Sequence, residues 1–144
     1  MSDITFEVQQ REAEYETDAN EFLEGSSKKI DLSEYALLAK RLIESDKIYL
    51  NPSISLYLMA DAMRIPAYRL SYAMTYHFGK NYNEIINSYR IEHAKNLLLS
   101  PSFAFYSVVG IGNESGFGNK TTFYNAFRKF TGTTPAEFRK KYHP

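Results

Sequence analysis

Residues 116–139 read GFGNKTTFYNAFRKFTGTTPAEFR, and their spacing predicts one helix between Gly118 and Gly132. Asn119 can cap it, because a short polar side chain accepts a hydrogen bond from the free N–H groups of a first turn. Phe123, Ala126, Phe127 and Phe130 recur at three- and four-residue intervals, which places them on one buried helix face. Lys120, Thr121, Tyr124, Asn125 and Arg128 then fall on the outer face. Gly132 and Pro135 stop the helix before a short basic end at residues 136–142. Just upstream, residues 105–115 predict another helix, broken at Gly116-Phe117-Gly118. The unit is helix, tight break, helix.

The same unit occurs earlier in the chain. Ser53 is a good N-cap for a short helix bearing Leu56, Met59, Ala60 and Met63, and Ile65-Pro66 breaks it. A second helix runs over residues 66–77 with Leu70, Ala73 and Met74 inward, closed by Gly79. Between the copies, a segment from Asn81 or Asn83 to Ser100 carries Ile85, Ile86, Tyr89, Ile91, Ala94, Leu97 and Leu98. At about 18 residues it spans about 27 Å, and Pro101 ends it. Ahead of the first copy, Asp31 or Ser33 can cap a helix with an apolar stripe of Tyr35, Leu38, Leu42 and Ile43, which stops near Asp46 before Asn51-Pro52.

No alternating strand pattern of useful length appears. The expected fold is all-α: two helix-turn-helix subdomains joined by a long linker helix, in a homeodomain-like arrangement. Residues 1–29, acidic and ending in Gly25-Ser26-Ser27, read as a disordered arm or a loosely docked helix. Residues 30–144 form the domain, with the first helix-turn-helix near 53–78, the linker helix near 83–100 and the second near 105–130.

The 144 residues are 44% hydrophobic and 24% charged, as expected of a chain with a real core. The net charge of zero conceals a division. Residues 1–46 carry 5 Lys/Arg against 12 Asp/Glu, and residues 47–144 carry 12 against 5. A basic half points to nucleic acid or a charged surface, whereas an acidic end on an ordinary basic domain is the duller explanation. There is no cysteine, and hence no disulfide framework or thiolate chemistry. No apolar run approaches the length of a membrane span. A cytoplasmic protein is the default.

A short helix, a break and a second helix make the plan in which the second helix enters the DNA major groove. Two helices merely packing together are commoner, but duplication across a rigid spacer shifts the balance, since it would set two reading helices near one turn of B-DNA apart. The run Gly116-Phe117-x5-Phe123-x3-Phe127-Arg128-Lys129-Phe130-Thr131-Gly132-x-Thr134-Pro135-x2-Phe138-Arg139 resembles the C-terminal signature of AraC/XylS-type transcription regulators. Arg90-Ile91-Glu92-x-Ala94-x2-Leu97-Leu98 resembles the linker helix of that family. The resemblance covers residues 51–141 and departs in the first copy. Met74-Thr75-Tyr76 stands where relatives often have a Phe-Lys-Lys-like run, and Arg64 where a turn glycine is frequent; in the second copy, Gly112 replaces the usual Ala.

The resemblance implies reading helices at residues 66–77 and 119–130. The family's base readers then fall on Tyr68, Ser71 and Tyr72 in the first copy and on Lys120, Thr121 and Asn125 in the second. Lysine can donate to guanine and asparagine can pair with adenine. Arg69, Tyr76, Lys80, Arg128 and Lys129 become phosphate contacts, with Thr75 and Tyr124 on the DNA-facing sides and Asn119 at a helix start suited to a phosphate. Each role has a plainer competitor: Tyr68 and Tyr72 as half-buried packing, Lys129 as a solvated face, Arg90 as the partner of an internal carboxylate. The implied partners are double-stranded DNA and RNA polymerase, with this fragment monomeric and a longer regulator dimeric. Residues 1–46 are too short for the sensing domain such regulators usually carry. The Tyr49-Leu50-Asn51-Pro52 approach resembles chains in which this domain is the cytoplasmic end of a membrane-anchored regulator. A protein–protein module with only one DNA-contacting helix-turn-helix is the alternative, motivated by the scarcity of Lys and Arg in residues 66–77.

An enzyme is not expected. Gly110-x-Gly112-x3-Gly116-x-Gly118 lacks the spacing and the Gly-Lys-Ser/Thr of a phosphate loop. His77, His93 and His143 are scattered without metal-ligand spacing, and no nucleophile–base pairing is evident. No cofactor is implied.

Overall fold

The helical periodicity is realised as seven α-helices, with no strand, among residues 29–142, which are those the computed structural model describes. They are α1 (Lys29–Glu44), α2 (Leu56–Met63), α3 (Ala67–Phe78), α4 (Tyr82–Leu99), α5 (Val108–Glu114), α6 (Lys120–Thr131) and α7 (Pro135–Tyr142). Short 3-10 turns occupy Ile48–Leu50 and Pro101–Phe103. The expectation for the acidic arm lies outside the described residues. The described residues divide into two compact units, one holding those up to Leu42 with Ser55–Tyr82, the other Ile43–Ile54 with those from Asn83 onward.

In the first unit, α1 begins before either expected cap, so Asp31 and Ser33 lie inside it. Its buried stripe includes Leu32, Ala36 and Ala39; Leu38 is 38% exposed and Leu42 half-buried, contrary to the expected stripe. The alanines explain the rotation, because small side chains let a neighbouring helix approach closely. Leu32 and Ala36 form a core with Tyr68 and Ala73, against which Tyr35, Tyr72 and Phe78 pack. Ser55, not Ser53, caps α2, its Oγ accepting from the Leu58 N–H at 3.1 Å. Ser53 is occupied two residues earlier, donating its N–H to Asn51 Oδ1 at 2.9 Å in a tight turn. Arg64 ends α2 with φ 59 and ψ 40, a left-handed conformation that glycine takes without steric cost. Pro66 then precedes α3, whose Leu70, Ala73 and Met74 are fully buried.

The second unit is built on aromatic rings. Ile91, Ala94 and Leu98 of α4, Ile111 of α5, Phe117, Phe123, Ala126 and Phe127, and Phe138 of α7 form its core. Ring centroids lie 5.1 Å apart for Phe117 and Phe123, 5.8 Å for Phe123 and Phe127, and 5.4 Å for Phe127 and Phe138. The last two pairs are edge-to-face, an arrangement each worth about 0.5–1.5 kcal/mol beyond area burial. Phe130, expected inside, is 36% exposed: Phe138 of α7 packs on Phe127, and the last turn of α6 runs past this core. Helix α5 starts at Val108 rather than near 105, because Ser107 caps it by accepting from the Gly110 N–H at 2.9 Å. Gly112 stands against Phe123: a Cβ there would come within 2.5 Å of the ring, so the glycine makes room for the phenylalanine.

Replacing exposed Arg64 with glycine relieves its left-handed backbone and should stabilise the chain by about 1 kcal/mol. An increased urea midpoint with unchanged slope is the expected result; an unchanged or lowered midpoint contradicts it.

Candidate nucleic-acid interface

Helix α6 buries Phe123, Ala126 and Phe127, and a helix that buries one face must present the other. The presented residues come together: Lys120, Thr121, Tyr124, Asn125 and Arg128 line one shallow concavity on the surface of the second unit. Lys120, Thr121, Asn125 and Arg128 are exposed, whereas Tyr124 is half-buried, with its ring 5.9 Å from that of Phe123. The Lys120 ammonium stands 5.3 Å from the Tyr124 ring centroid, which holds a positive charge over the concavity. Asn119 caps the helix, Oδ1 accepting from the Thr122 N–H at 2.8 Å. The N–H groups of Lys120 and Thr121 precede any intrahelical acceptor and point out of the helix start. Lys129 is exposed on the flank, its ammonium 5.9 Å from the Phe130 ring. Arg128 acts on Glu137 of α7, whose carboxyl is held below its ordinary range by hydrogen bonds from Thr133 and Thr134 and then by that charge.

Helix α3 presents a different surface. Tyr68, expected to face outward, is only 5% exposed and belongs to the core that α1 closes over the start of α3. This corrects the outward assignment, which rested on a two-helix pattern without α1. The Tyr68 hydroxyl accepts from Arg69 Nε at 3.1 Å. Hydrogen bonds to Tyr68 and Tyr35 raise the Arg69 guanidinium above its ordinary value, so that cation is already engaged. Tyr72 packs half-buried against the same core and Ser71 is half-buried. Thr75, Tyr76 and Lys80 are exposed, Tyr76 with its ring 5.2 Å from that of His77. Arg69 is the sole Lys or Arg of α3, whereas α6 carries Lys120, Arg128 and Lys129.

Arg90 makes bonds that the sequence reading did not foresee. Two of its donors go to main-chain carbonyls, Nε to Tyr49 O at 2.7 Å and Nη2 to Asn51 O at 3.0 Å. Nothing in the spacing of α4 announces this beyond a cation beside Ile91 on a buried face. Among the described residues no three His, Asp or Glu gather as metal ligands, and no helix is long and apolar enough to cross a membrane.

A family model described as a helix-turn-helix domain matches residues 59–141, from within α2 through α3 to α6 and all but the last residue of α7. The chain belongs to the AraC-type helix-turn-helix family, whose members are DNA-binding transcription regulators. This AraC-type chain is 37% identical over 62 residues to the HTH-type transcriptional regulator YijO of Escherichia coli (strain K12), matching 43% of this chain and 21% of that protein. It is 34% identical over 95 residues to the transcriptional regulatory protein YesN of Bacillus subtilis (strain 168), matching 63% of this chain and 25% of that protein. It thus spans a quarter or less of the length of these relatives. The C-terminal domain of AraT, a response regulator from Geobacillus stearothermophilus, shares the fold with a TM-score of 0.69 at 24% identity, over 76% of this chain and 87% of that one.

In this AraC-type chain the start of α6 rests on one side-chain cap. Asn119→Ala should cost about 1 kcal/mol in urea denaturation, with Asn119→Asp keeping most of the parent's stability. Equal stability of the alanine variant and the parent would remove the cap from the account of α6.

Proposed function

We propose that this AraC-type chain binds double-stranded DNA sequence-specifically, as the output domain of a longer transcription regulator, with α6 as its principal reading helix. The observation that carries this reading is the concavity of Lys120, Thr121, Tyr124, Asn125 and Arg128, set opposite an aromatic core that fixes which way α6 faces. A major groove admits one helix, and residues near its N-terminus reach base edges. Lys120 then donates to guanine, Asn125 pairs with adenine, and Thr121 bonds to either. Arg128, Lys129 and the capped helix start at Asn119 take phosphates, which set register without reading sequence. In the first unit, Arg69, Thr75, Tyr76 and Lys80 grip the backbone, and Ser71 and Tyr72 are secondary readers because packing holds both half-buried. Tyr68 leaves the contact set. Dimerisation and contact with RNA polymerase enter only as properties of the whole regulator, acting in the cytoplasm.

A second reading, in which α3 serves a protein partner and only α6 reads DNA, is favoured by the engagement of Arg69 with two tyrosines. A footprint over two adjacent major grooves excludes it, and protection of a single groove supports it.

On a duplex carrying the preferred site, Lys120→Ala and Asn125→Ala should each cost about 1–3 kcal/mol of binding and relax the preference at particular bases. Lys129→Ala should weaken binding to every duplex alike and reduce the slope of log affinity against log salt by about one. Titrations at several salt concentrations decide it. Equal losses on preferred and random duplexes contradict the reader roles of Lys120 and Asn125, and an unchanged slope removes Lys129 from the phosphates.

A further inference from the structure

The unit that contains α6 also contains Ile43–Ile54, a segment that precedes the first helix-turn-helix in the chain and lies outside the family match. This segment is packed as a strap. Lys47, with φ 51, turns the chain into Ile48–Leu50. The buried Tyr49 ring lies 5.6 Å from the Tyr89 ring and 6.1 Å from that of His93, both on α4. The Tyr89 hydroxyl donates to Glu44 at 2.8 Å, and burial together with that bond pushes it up to about 12. Burial, then Lys47, holds His93 below its ordinary range, so it packs on Tyr49 as a neutral ring.

Arg90 is the joint of the strap. Only 9% exposed, it spends Nε and Nη2 on the carbonyls of Tyr49 and Asn51, and its guanidinium carbon lies 5.7 Å from the Phe117 ring centroid. Charge-assisted bonds to a buried guanidinium are strong, and losing them leaves buried polar groups without partners. Gly116, with φ +98, faces the same point. A Cβ there would collide with the Tyr49 carbonyl oxygen and stand 2.9 Å from Arg90 Nε and 3.0 Å from Leu50 Cα. Strap, α4 and the turn between α5 and α6 thus meet at one guanidinium. Asn119, which starts α6, follows that turn.

We propose that Arg90 is a positioning residue for the DNA-reading helix: it locks the Tyr49–Asn51 carbonyls against the Gly116-Phe117 turn, so that chain upstream of the first helix-turn-helix becomes part of what orients α6. The DNA side of this inference rests on α6 being the reading helix. Whatever moves the strap withdraws two acceptors from Arg90 and loosens the turn that sets α6.

The test compares Arg90→Met and Arg90→Lys with the parent in the full chain. Amide exchange is read residue by residue, together with affinity for a duplex selected from a random pool and for a random duplex. In Arg90→Met the N–H groups of Asn51 and Phe117, bonded to Ile48 O at 3.1 Å and Gly112 O at 3.0 Å, should exchange about tenfold faster or more. Those of Ile65 and Leu70 in the first unit should not change. Preference for the selected duplex should collapse toward that for the random one, and Arg90→Lys should restore both properties in part. Should Arg90→Met not fold, Glu44→Ala, at an exposed residue that anchors the start of the strap, should speed the same two amides severalfold. Unchanged exchange at Phe117 in the variant that folds overturns the lock. A parent chain that prefers no duplex overturns the reading role of α6, and the exchange data then decide the lock alone.

Discussion

The burial of Phe127 between Phe123 and Phe138 is the constraint from which the functional surface follows. Fully burying one such ring stabilises the fold by about 1.5–3 kcal/mol, so rotating α6 about its axis would forfeit several times that amount. Its outward face is therefore set by the hydrophobic effect and not by the charges it carries. Gly112 serves the same end by leaving room for the Phe123 ring where a methyl group would strike it. Arg90 and Gly116 add a second restraint at the opposite end of the turn, where hydrogen bonds and close backbone approach replace apolar packing.

The two copies of the motif do not offer equivalent surfaces. In the second unit Lys120, Thr121, Asn125, Arg128 and Lys129 of α6 are polar and exposed, and the two lysines stand beside aromatic rings. In the first unit, α1 covers the start of α3, takes Tyr68 into the core and leaves Arg69 bonded to tyrosines. A group that already satisfies a neighbour must give up that bond to satisfy a base, which lowers its net value for recognition. The asymmetry of charge between the two helices thus coincides with an asymmetry of packing.

Much of this was legible in the chain itself. Glycine and proline punctuation located the breaks, Gly79 and Gly132 end their helices in left-handed conformations, and Asn119 caps α6. The inward residues of α3 and α6 other than Phe130 followed from period alone, because a helix on one partner has one apolar stripe. The misses share a cause, in that a third element intervened. Tyr68 lies on the outward side of a two-helix pair but beneath α1. Phe130 continues the apolar period past the core that α7 closes. Ser53 has the chemistry of a cap, yet a turn at Asn51 precedes the helix, which starts only at Leu56, so the Oγ that meets a free first-turn N–H is that of Ser55. The carbonyl partners of Arg90 sit about forty residues upstream, a separation that no local pattern encodes.

The most direct measurement is selection of duplexes from a random pool by this chain at two salt concentrations. A site with one dominant short block is expected for α6, together with a weaker block centred about 10 bp away, both retained at higher salt while total binding falls. Salt-sensitive binding to every duplex with no block enriched would contradict sequence reading by α6.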